Sequence, residues 1–336
     1  MHKTMKTFFT PVNMIMRYQL RLLAGWLLLA AGCQRADTDD ARPLVVVTTS
    51  IIADVVAQVG GDAIRVYGLI PPGTDPHDTV FRPADLARVS KADLLIVNGL
   101  GLEGNIRRLE QVLPATGQLV SLDRGLRLRY FAEDDQHIHH HDHDHDHDET
   151  CTVVSAGGVD PHYWTDPRNV MVWVETIETA LAKMAPDLAD EFDANAKAYQ
   201  EKLTRLDEWV VAQIDRIPPE RRVLVTDHLS LGYFADRFGF EQVGVIVPSF
   251  DSLAQPAARD MVALMNRIRQ RGVPAIFVSA STNPHVARQM AADAGIALVP
   301  VPMESLTDSD GPAPDYLAYM RHLVHSLVEQ LGSNPQ

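Results

Sequence analysis

Short apolar runs typical of β-strands alternate with stretches of helical spacing from residue 42 to the end of the chain. The run PLVVVTTS is continuous and rich in β-branched residues, as in a strand buried on both faces. IIADVVAQVG follows it with helical periodicity and a glycine stop. Because parallel strands need crossover connections, usually helices, this alternation predicts the α/β class with parallel sheets.

One segment interrupts the alternation. PDLADEFDANAKAYQEKLTRLDEWVVAQIDRIP consists almost entirely of strong helix formers and has proline at both ends. About 28 helical residues would span about 40 Å, the width of a whole domain. Three strand-like runs precede this segment and four follow it. We therefore expect an N-terminal α/β lobe at 44–186, one rigid connecting helix at 187–216 and a C-terminal α/β lobe at 217–331.

Residues 1–33 have the layout of an export signal. Basic residues precede the apolar run LLAGWLLLAAGC, which is shorter than the roughly 20 residues of a transmembrane helix. Its small-small-Cys ending resembles a bacterial lipobox and predicts lipidation at Cys33, with an ordinary cleaved signal as the alternative. Met14 and Met16 are alternative starts. The polar residues 34–43 are expected to form a tether.

Half of the chain's 14 histidines lie in the run HIHHHDHDHDHD, within a polar loop predicted at about 130–158. An internal run that alternates with aspartate is unlike a terminal purification tag. We expect it to bind metal weakly at several places, and a solvated insert without a metal role is the alternative. The candidate accessory ligands are His137, His139, His140, His141, His143, His145 and His147.

Three other histidines stand in similar local settings: His77 in TDPHDT, His162 in VDPHYWTDP and His228 in TDHLS. Two of them directly follow a predicted strand, at the end where open α/β sheets bind ligands. A single loop histidine is more often a solvated or capping residue, whereas three in matched settings favour a shared site. An aspartate precedes each one and could orient its ring: Asp75, Asp160 and Asp227.

A fourth ligand is expected after the last predicted strand, ALVPV. The acidic candidates there are Glu304, Asp308 and Asp310, and Glu304 is nearest to the strand end. A solvated loop acid is the alternative interpretation. The net charge of −14 suits a protein that handles cations and argues against a nucleic-acid partner, which would require a basic surface.

Four segments together resemble the metal-binding subunits of bacterial zinc and manganese ABC importers: PHDTVFRPADLARVSKADLLIVNGLGLE, DPHYWTDPRNV, TDHLSLGYFADRFG and ESLTDSDGPAPDYLAYMRHLVHSL. The resemblance covers about residues 44–331. It implies two lobes, each a four-stranded parallel sheet with flanking helices, joined by a rigid helix, with the metal buried between them. It also implies the ligands His77, His162, His228 and Glu304.

The resemblance further implies a monomeric binding protein without enzymatic activity, located in the periplasm or outside the cytoplasmic membrane. Its partners would be an ABC permease and an ATPase, and a lipid anchor would be its contact with the membrane. The fourth ligand in such proteins is usually aspartate, where this chain has Glu304, and an acid is frequent at the position of Ser279.

The expected metal is Zn²⁺, because three imidazoles and one carboxylate suit tetrahedral zinc. Manganese prefers more oxygen ligands, and manganese-selective relatives tend to have an acid at the position of His228. Manganese remains the alternative cargo, and copper and nickel would also accept three histidines. A zinc hydrolase is a further alternative, although the chain lacks an HExxH motif, and a surface adhesin is another.

Overall fold

The computed structural model describes residues 41–130, 158–247, 258–281 and 283–332. Within these ranges, eight strands alternate with nine helices. The strands are β1 Leu44–Val47, β2 Arg65–Gly68, β3 Leu94–Val97, β4 Gln118–Ser121, β5 Val223–Thr226, β6 Glu241–Val245, β7 Ala275–Ser279 and β8 Ala297–Val301. The helices are α1 Ser50–Gly60, α2 Pro83–Val89, α3 Ile106–Val112, α4 Pro167–Met184, α5 Ala189–Ile214, α6 Gly232–Phe238, α7 Ala258–Arg271, α8 His285–Ala294 and α9 Tyr316–Gly332.

The strands form two four-stranded parallel sheets, with orders β2-β1-β3-β4 and β6-β5-β7-β8. We call the first sheet with α1–α4 the N-terminal lobe, and the second sheet with α6–α8 the C-terminal lobe. The expected two parallel sheets with flanking helices are confirmed. The C-terminal ends of β2, β5 and β8 lead into the loops that carry the candidate ligands His77, His228 and Glu304.

The central strands are buried on both faces, as their unbroken apolar sequences predict. Val45 and Val47 on β1 face one apolar cluster, whereas Leu44 and Val46 face another. Successive side chains of a strand point to opposite sides, so LVVV supplies both clusters. The larger cluster extends from the N-terminal lobe through the helices into the C-terminal lobe. The two lobes therefore share one continuous apolar core.

Strand β4 is the strand that the sequence pattern did not indicate. It lies at the edge of the first sheet and is half-buried, with Leu119 paired to Leu95. An edge strand needs fewer apolar residues, because one side of its backbone has no neighbouring strand. The four residues QLVS therefore give no long apolar run by which to recognise a strand.

Helix α5 is the predicted long connecting helix and runs for 26 residues, about 39 Å. Its buried side chains recur at helical spacing and belong to the shared core, including Phe192, Tyr199 and Leu206. It packs against α1 and α4 of the N-terminal lobe and against α9. No helix in the described ranges combines the length and apolarity needed to cross a bilayer.

Candidate metal centre

The structure brings together the four residues that the motifs predicted. One ligand atom from each of His77, His162, His228 and Glu304 lies within 4.8 Å of all the others. His77 follows β2 and His228 follows β5, while Glu304 follows β8. His162 lies between β4 and α4, immediately before the turn Tyr163–Thr165. Each lobe therefore supplies two members of the cluster.

The imidazoles present their Nε2 atoms to one another and to the carboxylate. Nε2 of His77 lies 3.0 Å from Nε2 of His162, and Nε2 of His228 lies 2.9 Å from Oε1 of Glu304. Oε2 of Glu304 is 3.5 Å from Nε2 of His162 and has no hydrogen-bond partner within the described residues. A buried carboxylate oxygen among ring nitrogens is a favourable position for a cation.

Two of the three preceding aspartates hold histidine rings. Oδ1 of Asp160 accepts from the main-chain N–H of His162 at 3.0 Å and contacts its ring Nδ1 at 2.8 Å. Oδ1 of Asp227 contacts Nδ1 of His228 at 3.0 Å. Oδ2 of Asp227 accepts from the amide of Ser279 at 2.7 Å. These contacts leave the Nε2 atoms of His162 and His228 directed at the cluster. Carboxylate partners commonly orient metal-binding histidines in this way.

The third aspartate contacts the main chain beside its histidine. The carboxylate of Asp75 accepts from the main-chain amide of His77 at 2.9 Å. The carbonyl of Asp75 also accepts from the hydroxyl of Thr79 at 2.9 Å. Asp75 therefore shapes the backbone around His77, and its role in orienting the imidazole stays a prediction.

The residues of the cluster have pKa values that are shifted in different directions. Burial acts to raise the pKa of Glu304, but the charges of His162 and His228 and the hydrogen bond from His228 hold it well below its usual range. Burial acts to lower the pKa of His228, but Asp227 and Glu304 outweigh it and raise that pKa well above its ordinary value. Burial lowers the pKa of His77. The site therefore contains a persistent carboxylate beside imidazoles of unequal proton affinity.

Glu103 is a buried acid that fixes the loop behind His162, and sequence reasoning did not assign it this role. Its Oε1 accepts from the hydroxyl of Thr48 at 2.5 Å and from the amide of Asn98 at 2.7 Å. The side chain of Asn98 then donates to the carbonyl of Pro161 at 3.1 Å. Burial raises the pKa of Glu103 although these hydrogen bonds oppose the shift. The available signal was an acid placed just after a buried apolar strand.

Contacts between the lobes hold the segment that carries Glu304. The indole N–H of Trp164 donates to the carbonyl of Met303 at 3.2 Å, and the hydroxyl of Tyr319 donates to the same oxygen at 2.8 Å. On the other side of Glu304, the amide of Leu306 donates to the hydroxyl of Ser50 at 3.0 Å. The main chain is thus held on both sides of Glu304, which fixes the position of its side chain.

The other candidate residues from the sequence lie either outside the cluster or outside the described residues. Asp308 and Asp310 are exposed and lie outside the cluster, which leaves Glu304 as the acid of the site. The predicted lipidation residue and the accessory histidines of the His/Asp run lie outside the described residues: Cys33, His137, His139, His140, His141, His143, His145 and His147.

Residues 45–330 match the model of a protein family described as zinc-uptake complex component A, periplasmic, also called ZnuA. The chain belongs to the ZnuA family. Proteins of this family bind substrates for transport and are not enzymes. The resemblance inferred from the four sequence segments is confirmed.

Relatives within the ZnuA family are named for different metals. The manganese-binding lipoprotein MntA of Halalkalibacterium halodurans is 31% identical over 91% of this chain and 95% of its own length. The zinc-binding protein TroA of Treponema pallidum is 31% identical over 87% of this chain and 90% of its own.

Solved structures show the same fold. The structure of TroA superposes with a TM-score of 0.73 at 25% identity, covering 86% of this chain and 99% of TroA. A manganese-bound periplasmic metal-binding protein of Candidatus Liberibacter asiaticus gives a TM-score of 0.73 at 26% identity, covering 86% of this chain and all of that protein.

Proposed function

We propose that this ZnuA-family chain captures Zn²⁺ outside the cytoplasmic membrane and delivers it to the permease and ATPase of an ABC importer. The metal is the transported cargo, and its proposed ligands are His77, His162, His228 and Glu304. The observation that carries the proposal is the convergence of three Nε2 atoms and one buried carboxylate within 4.8 Å. Membership of the ZnuA family and the TroA fold support the same role.

The donor set is the argument for zinc. Zinc accepts four ligands in a tetrahedron and readily uses histidine nitrogen with one carboxylate, whereas manganese favours a larger number of oxygen ligands. At the third position this chain offers Nε2 of His228, whose other ring nitrogen is held by Asp227. The similarity to MntA is the specific observation that favours manganese as the second candidate.

Further parts of the proposal come from the sequence. We assign residues 44–186 and 217–331 to the two lobes and 187–216 to the connection between them. Lipidation at Cys33 would anchor a monomeric protein to the membrane through the tether at 34–43. The His/Asp run would add weak zinc-binding positions near the cleft, in keeping with its place in the sequence between His77 and His162.

The test is elemental analysis of the purified, untagged mature protein, followed by competition against a chelating dye. We expect one tightly bound Zn²⁺ per chain and much weaker binding of Mn²⁺. His228→Ala should weaken zinc binding strongly, and the exposed His285 provides the matched control variant His285→Ala. Because divalent zinc generally binds such sites more tightly than manganese, manganese as the metal that co-purifies with the protein from cells supplied with both metals would make manganese the cargo. An unchanged zinc affinity in His228→Ala would refute the site.

A further inference from the structure

An arginine outside the metal cluster links one of its histidines to the opposite lobe. The guanidinium of Arg129 lies between two carboxylates, with Nη1 3.4 Å from Oδ2 of Asp160 and Nε 2.9 Å from Oδ2 of Asp236. Asp160 is the residue whose other oxygen contacts Nδ1 of His162. Asp236 lies on α6 of the C-terminal lobe. The path from His162 to α6 is therefore continuous.

The first residues of helix α6 contact both Arg129 and Asp160. The hydroxyl of Tyr233 accepts from the main-chain N–H of Arg129 at 2.8 Å and donates to the carbonyl of Asp160 at 3.1 Å. At Gly232, a Cβ would lie 2.4 Å from Oδ2 of Asp160 and 2.7 Å from Nη1 of Arg129. Because both distances are shorter than real Cβ contacts, a side chain at residue 232 would displace the Asp160 carboxylate and the Arg129 guanidinium from their positions.

The Arg129 guanidinium provides a hydrogen-bond donor to a carboxylate that is buried away from water. Asp160 is fully buried, and the side chain of Arg129 is only 13% exposed. A buried carboxylate requires hydrogen-bond donors for both oxygens, since an unpaired polar atom in the interior is unfavourable. His162 donates to one oxygen and Arg129 to the other. A carboxylate that accepts from Nδ1–H fixes the tautomer in which Nε2 carries the lone pair that a metal binds.

We propose that Arg129 is a positioning residue for His162, held in place by α6 from the C-terminal lobe. Through Asp160 it fixes the rotation and tautomer of the His162 ring. Docking of the two lobes at α6 thereby prepares a ligand that belongs to the N-terminal lobe. The inference rests on the proposed function, because it assigns to His162 the role of a metal ligand.

The first experiment measures zinc affinity in the full mature chain by competition with a chelating dye. Arg129→Met should weaken zinc binding by about tenfold, the low end of the usual effect of losing an outer partner of a metal ligand, because Arg129 acts on His162 through Asp160. Arg129→Lys should recover part of the loss, because one ammonium group cannot reproduce both contacts of the guanidinium. The matched control is Arg127→Met, which removes an exposed arginine from the same segment and should bind as the wild type does.

The second experiment needs no metal and reads the His162 ring directly. In the metal-free chain, ¹⁵N NMR of the imidazoles should show His162 in a single Nδ1–H tautomer, with its signals identified from a His162→Gln variant. Arg129→Met should give a mixture of tautomers. Asp236→Asn alters a carboxylate that is 64% exposed, so folding should be unaffected, and it should shift the same signals by a smaller amount.

The two experiments separate the possible failures. Wild-type zinc affinity and an unchanged His162 tautomer in Arg129→Met would overturn the positioning role. Weaker zinc binding with an unchanged tautomer and a lowered melting temperature would assign Arg129 a structural role only, which also overturns it. If wild type and Arg127→Met both fail to bind zinc, the proposed function fails, while the NMR result still decides whether Arg129 orients His162.

Discussion

The two Asp-Pro-His turns of the site use the same three residues in different ways. At 160–162, the aspartate contacts both the main chain and the ring of His162, and it is itself bound by Arg129. At 75–77, the aspartate accepts its hydrogen bond from the main chain of His77. The identical tripeptide thus produces one ring fixed by a carboxylate and one whose aspartate shapes the backbone.

The surroundings of the two turns explain the difference. His162 is fully buried beside Trp164 and Tyr163, whereas the loop around His77 reaches the surface, with Val80 77% exposed. The comparison teaches that a motif places a ligand, while the packing around it decides how firmly the ligand is held. We infer that the ring of His162 is held in advance by Asp160, whereas Asp75 holds the main chain of His77.

The strongest test of this difference is to remove each ring in turn. A four-ligand zinc site contributes about 10–16 kcal/mol, so one ligand contributes roughly 3 kcal/mol, or about a hundredfold in Kd. His162→Ala should exceed this value, because it also removes the ring N–H that contacts Oδ1 of buried Asp160. His77→Ala should cost less than this value, because the hydrogen bond that Asp75 accepts comes from the main chain of residue 77 and survives the substitution. Competition titration with zinc measures both, and equal losses would contradict the comparison.

A smaller effect is expected from the aspartates themselves. Asp160→Asn should weaken zinc binding by about tenfold or more, since the amide cannot serve both the ring of His162 and Arg129 as the carboxylate does. Asp75→Asn should change the affinity by less than about threefold, on the order of 0.6 kcal/mol, because its amide oxygen can still accept from the main chain of His77. Calorimetry of both variants checks the order, and the reverse order would show that Asp75 is the more important partner.

The pH dependence sharpens the contrast between ring environments. The pKa of His228 is raised well above its ordinary value, so the metal-free chain holds a proton there that zinc must displace. Affinity should therefore weaken as pH falls below that pKa, by up to about tenfold per pH unit for one proton. Burial lowers the pKa of His77, so that ring is neutral and needs no such displacement near neutral pH. Zinc titrations from about pH 8 to about pH 5 check this, with His285→Ala as control.

The smallest effect on the tight site is expected from the His/Asp run. Deleting 137–148 should reduce the number of zinc ions bound at high concentration and leave the tight Kd unchanged, because the four cluster residues all lie outside the deleted segment. Calorimetric stoichiometry measures this. Loss of the tight site together with the run would refute the assignment of the ligands to the cleft.

Much of the fold was predictable because its signals are local. LVVV and LLIV indicate buried parallel strands, and the long run of helix formers indicates α5. Most of the cluster was predictable because His77, His228 and Glu304 each follow the end of a strand, namely β2, β5 and β8. Strand β4 was missed because its short half-buried sequence carries no comparable pattern.

The supports of the site were not predictable, since they depend on how distant segments pack. Tyr233 contacts Arg129 across 104 positions, and Trp164 reaches Met303 across 139. Nothing in the sequence around Arg129 distinguishes it from the exposed Arg127 two residues earlier. Only the position of α6 against the N-terminal lobe separates the two arginines, and that position belongs to the tertiary structure.

The chain on the two sides of residues 131–157 is joined, because Tyr130 and Val159 form an isolated antiparallel bridge. Asp160 strengthens this closure by donating its amide to the carbonyl of Arg129 at 2.9 Å. Once the ends of a loop are joined, doubling its length raises the closure free energy by only about 0.6 kcal/mol. Because described residues join the two ends, a change of length between them costs little closure free energy, and a protein engineer could insert a fluorescent reporter between Tyr130 and Val159 at a small entropic cost.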